Sequence, residues 1–167
     1  MFNKGDLVLY GMYGICEISD ISTVDISGVD KDRLYYVLHQ KTENGTIYVA
    51  VDGDTSGMRK LISKEEALEI ISKISDLEPL NLKDEKRPEA EYKEALQKYD
   101  CIETLKLIKC IYKRKKLRIA EGKRATTADD KYMRRAEDVF YQEIGAVLGI
   151  PKNQVLDYLI NQIEGKA

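Results

Sequence analysis

Lys4-Gly5-Asp6-Leu7-Val8-Leu9-Tyr10-Gly11-Met12-Tyr13-Gly14-Ile15-Cys16-Glu17-Ile18 sets two short runs of apolar and β-branched residues on either side of a glycine-bounded turn. Val, Ile, Tyr and Leu at this spacing favour a half-buried pleated surface, and Gly5 and Gly14 can take the positive φ that tight turns demand. The stretch therefore predicts two antiparallel strands opening a small β-barrel. The downstream sequence supports that reading, because the alternating pattern persists for about sixty residues before a helical period replaces it and runs to the end.

Within the first part, Ser19 to Gly28 alternates polar and apolar residues and predicts a long, half-exposed strand turning at Gly28-Val29-Asp30. Leu34 to His39 predicts a third strand, which returns as Thr46 to Val51 after Glu43-Asn44-Gly45. Asn-Gly between two β-rich runs predicts a type I′ hairpin, whose two central residues both need positive φ. Met58 to Ile62 predicts a short closing strand after a turn at Asp52-Gly53-Asp54. Five short antiparallel strands with tight turns make an SH3-like or Tudor-like barrel over residues 1–62, a fold that commonly binds macromolecules through loops and edge strands. The segment Ile21 to Ile26 is expected to present unpaired backbone groups to a partner sheet.

Ser63 with Glu66 three residues on is a capping box ahead of Leu68, Ile71 and Ile74, and starts the first helix. Pro79, Asn81, Asp84 and Pro88 break the pattern, so 63–88 reads as first helix plus linker, with Ser75 to Pro88 as the connection. Further helices are expected over 89–99, 101–118, 127–148 and 153–163. Thr127 with Asp130 is expected to cap the third of these, and Gly149-Ile150-Pro151 divides it from the last. Ile102, Leu105, Ile108, Ile111 and Tyr112, Met133, Ala136, Phe140, Ile144 and Val147, and Leu156, Leu159 and Ile163 recur at three- and four-residue steps and are expected to share one core. The fold class is α+β in two domains, an N-terminal barrel followed by a helical bundle over 89–167.

A formal net charge of −2 conceals a segregation. Lys plus Arg against Asp plus Glu is 6 and 9 over residues 1–62, 7 and 11 over 63–100, 9 and 2 over 101–125, and 5 and 7 over 126–167. Lys106, Lys109, Lys113 and Lys116 fall on one side of a helix, and Arg114, Lys115, Arg118, Lys123 and Arg124 extend the patch. Such a block is either a solvated helix face or a contact for a polyanion. No array of Asn, Gln and Arg on a recognition helix accompanies it, which points to phosphate contact without base readout. Part of the block, Arg114 to Arg118, would also suit a helix end through the dipole.

The residues supply no catalytic set. The single histidine, His39, lies by a strand without an evident partner, and the adjacent carboxylates Glu65-Glu66, Asp84-Glu85 and Asp129-Asp130 diverge on a helix or sit at helix starts. No phosphate-binding loop or dinucleotide fingerprint is present. Cys16, Cys101 and Cys110 have no metal-ligand spacing and read as buried free thiols, with no metal or other cofactor implied. No apolar run is long enough to span a bilayer and the N-terminus lacks signal-peptide character, so a cytoplasmic protein with no membrane partner is expected.

A barrel, an acidic linker and a basic helical bundle, in that order, resemble the CarD/CdnL family of bacterial transcription regulators. The likeness is strongest in Gly5-Asp6-Leu7-Val8-Leu9-Tyr10-Gly11-Met12-Tyr13-Gly14, similar to the family's opening Gly-Asp-x-Val-Val-Tyr-x-x-x-Gly. Tyr35-Tyr36-Val37-Leu38 and Gly57-Met58-Arg59 resemble its central strand and barrel end. In the helical part, Tyr92-Lys93 with Leu96, Ile111-Tyr112-Lys113-Arg114 and Asp130-Lys131-Tyr132-Met133 are similar to the family segments, with a short insertion between the second and third. The opening motif also occurs in transcription-repair coupling factors, which carry helicase domains absent from this chain.

The resemblance implies a barrel that docks on the β subunit of RNA polymerase by strand pairing and a helical domain that lies on promoter DNA at the upstream edge of the melted bubble. Carried onto this chain, it implies polymerase contact through Val24, Asp25, Ile26 and Tyr48, and DNA contact, mostly to the backbone, through Arg87, Lys93, Lys113, Arg114 and Lys131. The chain also departs from the family. Relatives place a DNA-wedging tryptophan four residues before the Tyr-Lys pair, where this chain has Pro88, and arginines where it has Ala90 and Glu91. The proline usual after Val49 is Ala50. The expectation is a monomeric, non-enzymatic regulator of open-complex stability; the alternatives are a protein-only adaptor whose helical domain grips a second protein, or a wedge-less competitor of a related regulator.

Overall fold

The computed structural model describes residues 1–164, apart from the side chains of Met12, Ile163 and Glu164. The chain divides into two compact units, residues 1–61 and 62–167, at the point where the hydrophobic period changes.

The first unit is one antiparallel sheet of β1 (Leu7–Tyr10), β2 (Ile15–Ser22), β3 (Tyr35–Gln40), β4 (Thr46–Ala50) and β5 (Met58–Lys60), in the order β4-β3-β2-β1-β5. Alternation sends Val8, Cys16, Ile18, Tyr36, Leu38, Val49 and Met58 into one core. Because both edge strands, β4 and β5, feed that core, the sheet curls over it. Gly14 sits at φ +73° after the short 3-10 turn Gly11–Tyr13, which turns β1 into β2.

Two local expectations are corrected. The strand predicted from Ser19 to Gly28 ends at Ser22, because Ser22 pairs with Tyr35, the first residue of β3, and the ladder has no partner beyond it. Thr23 to Ile26 are outside any strand. The hairpin after β3 exists, but Gln40 N–H donates to the Gly45 carbonyl at 2.9 Å, leaving residues 41–44 as a four-residue loop. Only Asn44 takes positive φ, at +52°. Gly45 instead allows a close approach, since a Cβ there would lie 2.1 Å from Gln40 Oε1.

The second unit holds α1 (Lys64–Ser72), α2 (Glu89–Gln97), α3 (Cys101–Ala120), α4 (Thr127–Leu148) and α5 (Val155–Glu164). The Ser63 capping box forms in both directions: Glu66 N–H donates to Ser63 Oγ at 3.0 Å and Ser63 N–H to Glu66 Oε1 at 3.3 Å. The cap of α4 is Thr126, not Thr127, with Asp129 N–H donating to Thr126 Oγ1 at 3.1 Å. That one-residue difference turns Asp129 inward.

Two cores replace the single one expected. Ala67, Ile71, Cys101, Leu105, Phe140, Ile144, Val155 and Leu159 join α1 and α5 to one end of the α3–α4 pair, and Tyr92, Ala95, Leu107, Cys110, Ile111, Tyr132 and Ala136 join α2 to the other. Ile102, Tyr112 and Leu156, expected inside, are exposed. The segment Ser75 to Pro88 runs within the second unit, where Leu80 N–H donates to the Lys106 carbonyl at 3.1 Å and Leu80 and Leu82 pack on the second core. All three cysteines are free and buried, and burial raises the thiol pKa of Cys16 and Cys110.

Candidate functional site

In the first unit the sheet has two edges, β5 of three residues and the longer β4 of five. The flanking bonds Gln40 N–H to Gly45 carbonyl and Val51 N–H to Leu34 carbonyl fix the parity of the β3–β4 ladder, so Tyr36 faces Val49 and Leu38 faces Ile47 as hydrogen-bonded pairs. Thr46 and Tyr48 consequently aim their N–H and C=O groups, and Ala50 its N–H, away from β3 along an edge that no strand of the sheet covers, while the Ala50 carbonyl accepts from Gly53 N–H at 3.1 Å. Tyr48, 38 % exposed, stands at the centre of this edge. Ala50 supplies an outward N–H that a proline there would lack.

Val24, Asp25 and Ile26 follow β2 as an irregular segment. Val24 is half-buried, Asp25 pairs with Lys31 at 2.8 Å, and the Ile26 carbonyl accepts from Val29 N–H at 3.2 Å. The row Ser22–Tyr35–Ala50 puts this segment and Tyr48 on opposite sides of the start of β3. β2 itself is interior to the sheet, so Ile21 and Ser22 offer no edge, and the sheet's edges are β4 and β5. His39 is exposed on β3 opposite Glu17. Arg33 donates to Asp52 through Nε at 3.2 Å and a terminal nitrogen at 2.6 Å, and this hydrogen bonding holds the Asp52 carboxyl below the usual range.

In the second unit half of the expected lysine stripe is committed to other groups. Lys106 pairs with Glu103 at 3.6 Å, and the Lys109 ammonium donates to the carbonyls of Ile74 and Leu77, closing the end of a 3-10 turn, Ile74–Asp76. Lys113 and Lys116 remain exposed without a partner among the described residues. Arg87 and Lys93 are exposed at the start of α2 and on it, and Lys131 on α4 is exposed with its ammonium 5.6 Å from the Tyr132 ring centroid.

Arg114 is turned inward. Its Nε donates to Asp129 Oδ2 at 3.2 Å and its Nη1 to the Glu85 carbonyl at 3.1 Å, with the side chain 20 % exposed. Asp129, wholly buried, also accepts from the Tyr92 hydroxyl at 2.7 Å. Burial, then this hydrogen bond, drives the Tyr92 phenol pKa upward. One carboxylate thus ties α2, α3, α4 and the segment before α2 together, and Arg114 positions that segment instead of facing solvent. Sequence reasoning missed Asp129 because it follows two threonines, either of which can cap a helix.

The same segment engages the residues at positions 84, 88 and 91. Glu91 accepts from Lys83 N–H at 2.8 Å and Asp84 N–H at 3.1 Å, while Asp84 Oδ1 accepts from the backbone of Lys86 and Arg87 at 3.1 and 3.2 Å. Pro88 is buried at the N-cap of α2, so position 88 presents no side chain to a ligand.

Residues 2–62 match the family described as the CarD-like/TRCF RID domain. The first unit is similar to a CarD-like RID domain. The match ends where the contact boundary between units falls, and the RID is the RNA polymerase-interacting domain of its family. No curated protein matches the chain. Among the described residues no group of three or more His, Cys, Asp or Glu is arranged to hold a metal ion, and no helix is long and apolar enough to cross a membrane.

Proposed function

We propose that this protein is a non-enzymatic, cytoplasmic transcription regulator that docks its RID on the β subunit of RNA polymerase and contacts promoter DNA backbone with its helical unit. The observation that carries the reading is the RID itself, with the uncovered edge of β4 centred on Tyr48. An added strand would find the outward groups of Thr46 and Tyr48 and the Ala50 N–H at ladder spacing, with Tyr48 supplying side-chain contact. Val24, Asp25 and Ile26 follow β2, across the start of β3 from that edge, and polymerase contact through them would be separate from the strand pairing.

The DNA part rests on Arg87, Lys93, Lys113 and Lys131, exposed cations on the α2–α3–α4 end of the helical unit, with Arg114 holding the segment that carries Arg87. Isolated ammonium and guanidinium groups without a base-reading array favour phosphates. With Pro88 buried, the protein lacks a wedge for the bubble edge and modulates open complexes by occupancy and backbone contact. The test is co-purification of the full chain with core polymerase and with the isolated β-subunit lobe, followed by a duplex-DNA shift at two salt concentrations. Binding to the lobe with a salt-dependent shift supports both parts; lobe binding without a shift leaves the docking and removes the DNA contact.

A further inference from the structure

The two edges of the sheet are built differently. β5 is three residues long and carries Arg59 and Lys60, the short charged form that discourages a strand from pairing with a neighbour. β4, Thr46-Ile47-Tyr48-Val49-Ala50, has five residues with no charge and no proline, and its ladder with β3 runs without a register shift. The strand has none of the devices that protect β5.

The outward groups of β4 are also symmetric about its centre. Because Thr46, Tyr48 and Ala50 face away from β3, a second β4 laid antiparallel about a two-fold axis at Tyr48 sets each Tyr48 opposite its copy and each Thr46 opposite Ala50. Tyr48 then exchanges N–H and C=O with Tyr48 of the second copy, and each Ala50 N–H reaches the Thr46 carbonyl of the other chain. The Ala50 carbonyl, which accepts from Gly53 N–H at 3.1 Å, keeps a second lone pair for Thr46 N–H. Between these pairs the axis sets Ile47 beside Val49 of the second copy, on the face that both turn to the core. The apolar faces of the two sheets therefore continue across the junction, while the exposed Tyr48 rings meet on the opposite face. Charge permits the pairing. Asp52, just past β4, is held by Arg33 at 2.6 Å, and Glu17 by Lys41 at 2.7 Å. Glu43 and Asp54 lie in loops beyond the ladder, where their repulsion across the axis is screened by salt.

We infer that β4 is a self-pairing edge, through which two copies of this chain join into a dimer whose polymerase-binding edge is covered. Five residues a side fall well short of the roughly 20–30 a side of a standard interface, so the dimer is weak and yields to a polymerase strand. Self-association and docking exclude each other, because both use the outward groups of Thr46, Tyr48 and Ala50. The exclusion rests on the reading of β4 as the docking edge; the self-pairing does not.

The test is sedimentation equilibrium of the full chain up to about 1 mM, where weak contacts register, at low and high salt, with circular dichroism on each variant. Wild type should form a reversible dimer that strengthens as salt rises. Tyr48→Lys and Tyr48→Glu each set like charges opposite one another at the axis, and each should weaken the dimer about tenfold or more. Mixed in equal amounts, the two variants should form a heterodimer. Added β-subunit lobe should convert the wild-type dimer into complexes of one chain with one lobe. A wild type that stays monomeric over this range, a dimer indifferent to Tyr48→Lys, or mixed variants that fail to associate would each overturn the inference, as would two chains and two lobes in one particle. A lobe that does not bind, beside a dimer that behaves as described, contradicts the docking reading and leaves the self-pairing standing.

Discussion

Replacing Asp129 with asparagine removes the charge at the centre of the α2–α3–α4 junction while nearly preserving volume. The amide oxygen can still accept from the Tyr92 hydroxyl, now 2.7 Å from Oδ1, but an amide nitrogen would then meet the Arg114 Nε that donates to Oδ2 at 3.2 Å. Two donors face each other and the guanidinium keeps its charge. Breaking a buried ion pair on one side costs about 3–5 kcal/mol, and because the Arg114 side chain is still 20 % exposed and can rehydrate in part, the lower end, about 3 kcal/mol, is expected. That is a large share of the roughly 5–15 kcal/mol that holds a domain folded. Urea unfolding followed at 222 nm, where the helical unit dominates the signal, measures it. Arg114→Leu with Asp129→Asn should recover much of the loss, because the stranded charge is gone, giving a coupling well above the few tenths of a kcal/mol typical of independent sites. A loss below about 1 kcal/mol, with negligible coupling, would show that Arg114 is a solvent-facing cation and that its positioning role is wrong.

Lys113→Glu should weaken duplex binding for all sequences alike and flatten the log–log salt dependence by about one unit per lost phosphate contact, read by fluorescence anisotropy; a sequence-selective loss would mean base readout. Gly145→Ala should destabilise the helical unit by about 1–3 kcal/mol in the same urea assay, because the new Cβ would lie 2.7 Å from the Ile150 carbonyl oxygen and 3.2 Å from Val155 Cγ2. The Asp52 carboxyl is depressed by Arg33, so its pairing contributes above the unfolded carboxylate pKa and is lost as pH falls through the lowered folded value. Arg33→Gln should therefore raise the Asp52 pKa in an NMR titration, and an unchanged value would remove the pair from the loop's account.

What could be read from the sequence was local. Ser63 and Glu66 announce a helix start because both partners of the box lie within four residues, and the opening glycine-bounded run gives the first hairpin for the same reason. Failures arose where a partner distant in sequence decides. Thr23 to Ile26 has strand-like alternation but no strand opposite it, since β3 starts at Tyr35. Asn44-Gly45 favours a two-residue turn, yet the register that pairs Tyr36 with Val49 leaves a four-residue loop. The exposure of Tyr48, Lys93, Lys113 and Lys131 follows from their local pattern, whereas the inward turn of Arg114 and the commitment of Lys109 to backbone carbonyls depend on the packing of separate helices. Apolar Tyr112 and Leu156 keep helical period with the core, so periodicity alone assigned them to it; only the packing of the helices leaves them exposed.

The central claim is that β4 offers its free edge to the polymerase β subunit, and parity along β4 gives it a matched pair of variants. Tyr48→Pro removes an N–H that points away from the sheet, whereas Val49→Pro removes one that bonds to β3, so only the first should leave the domain folded. The measurement is the affinity of the full chain for the isolated β-subunit lobe by biolayer interferometry, wild type against Tyr48→Pro and against Tyr48→Ala, with circular dichroism on each. Wild type should bind, Tyr48→Ala should bind more weakly, and folded Tyr48→Pro should not bind measurably. Undiminished binding by a folded Tyr48→Pro protein would contradict strand pairing at β4.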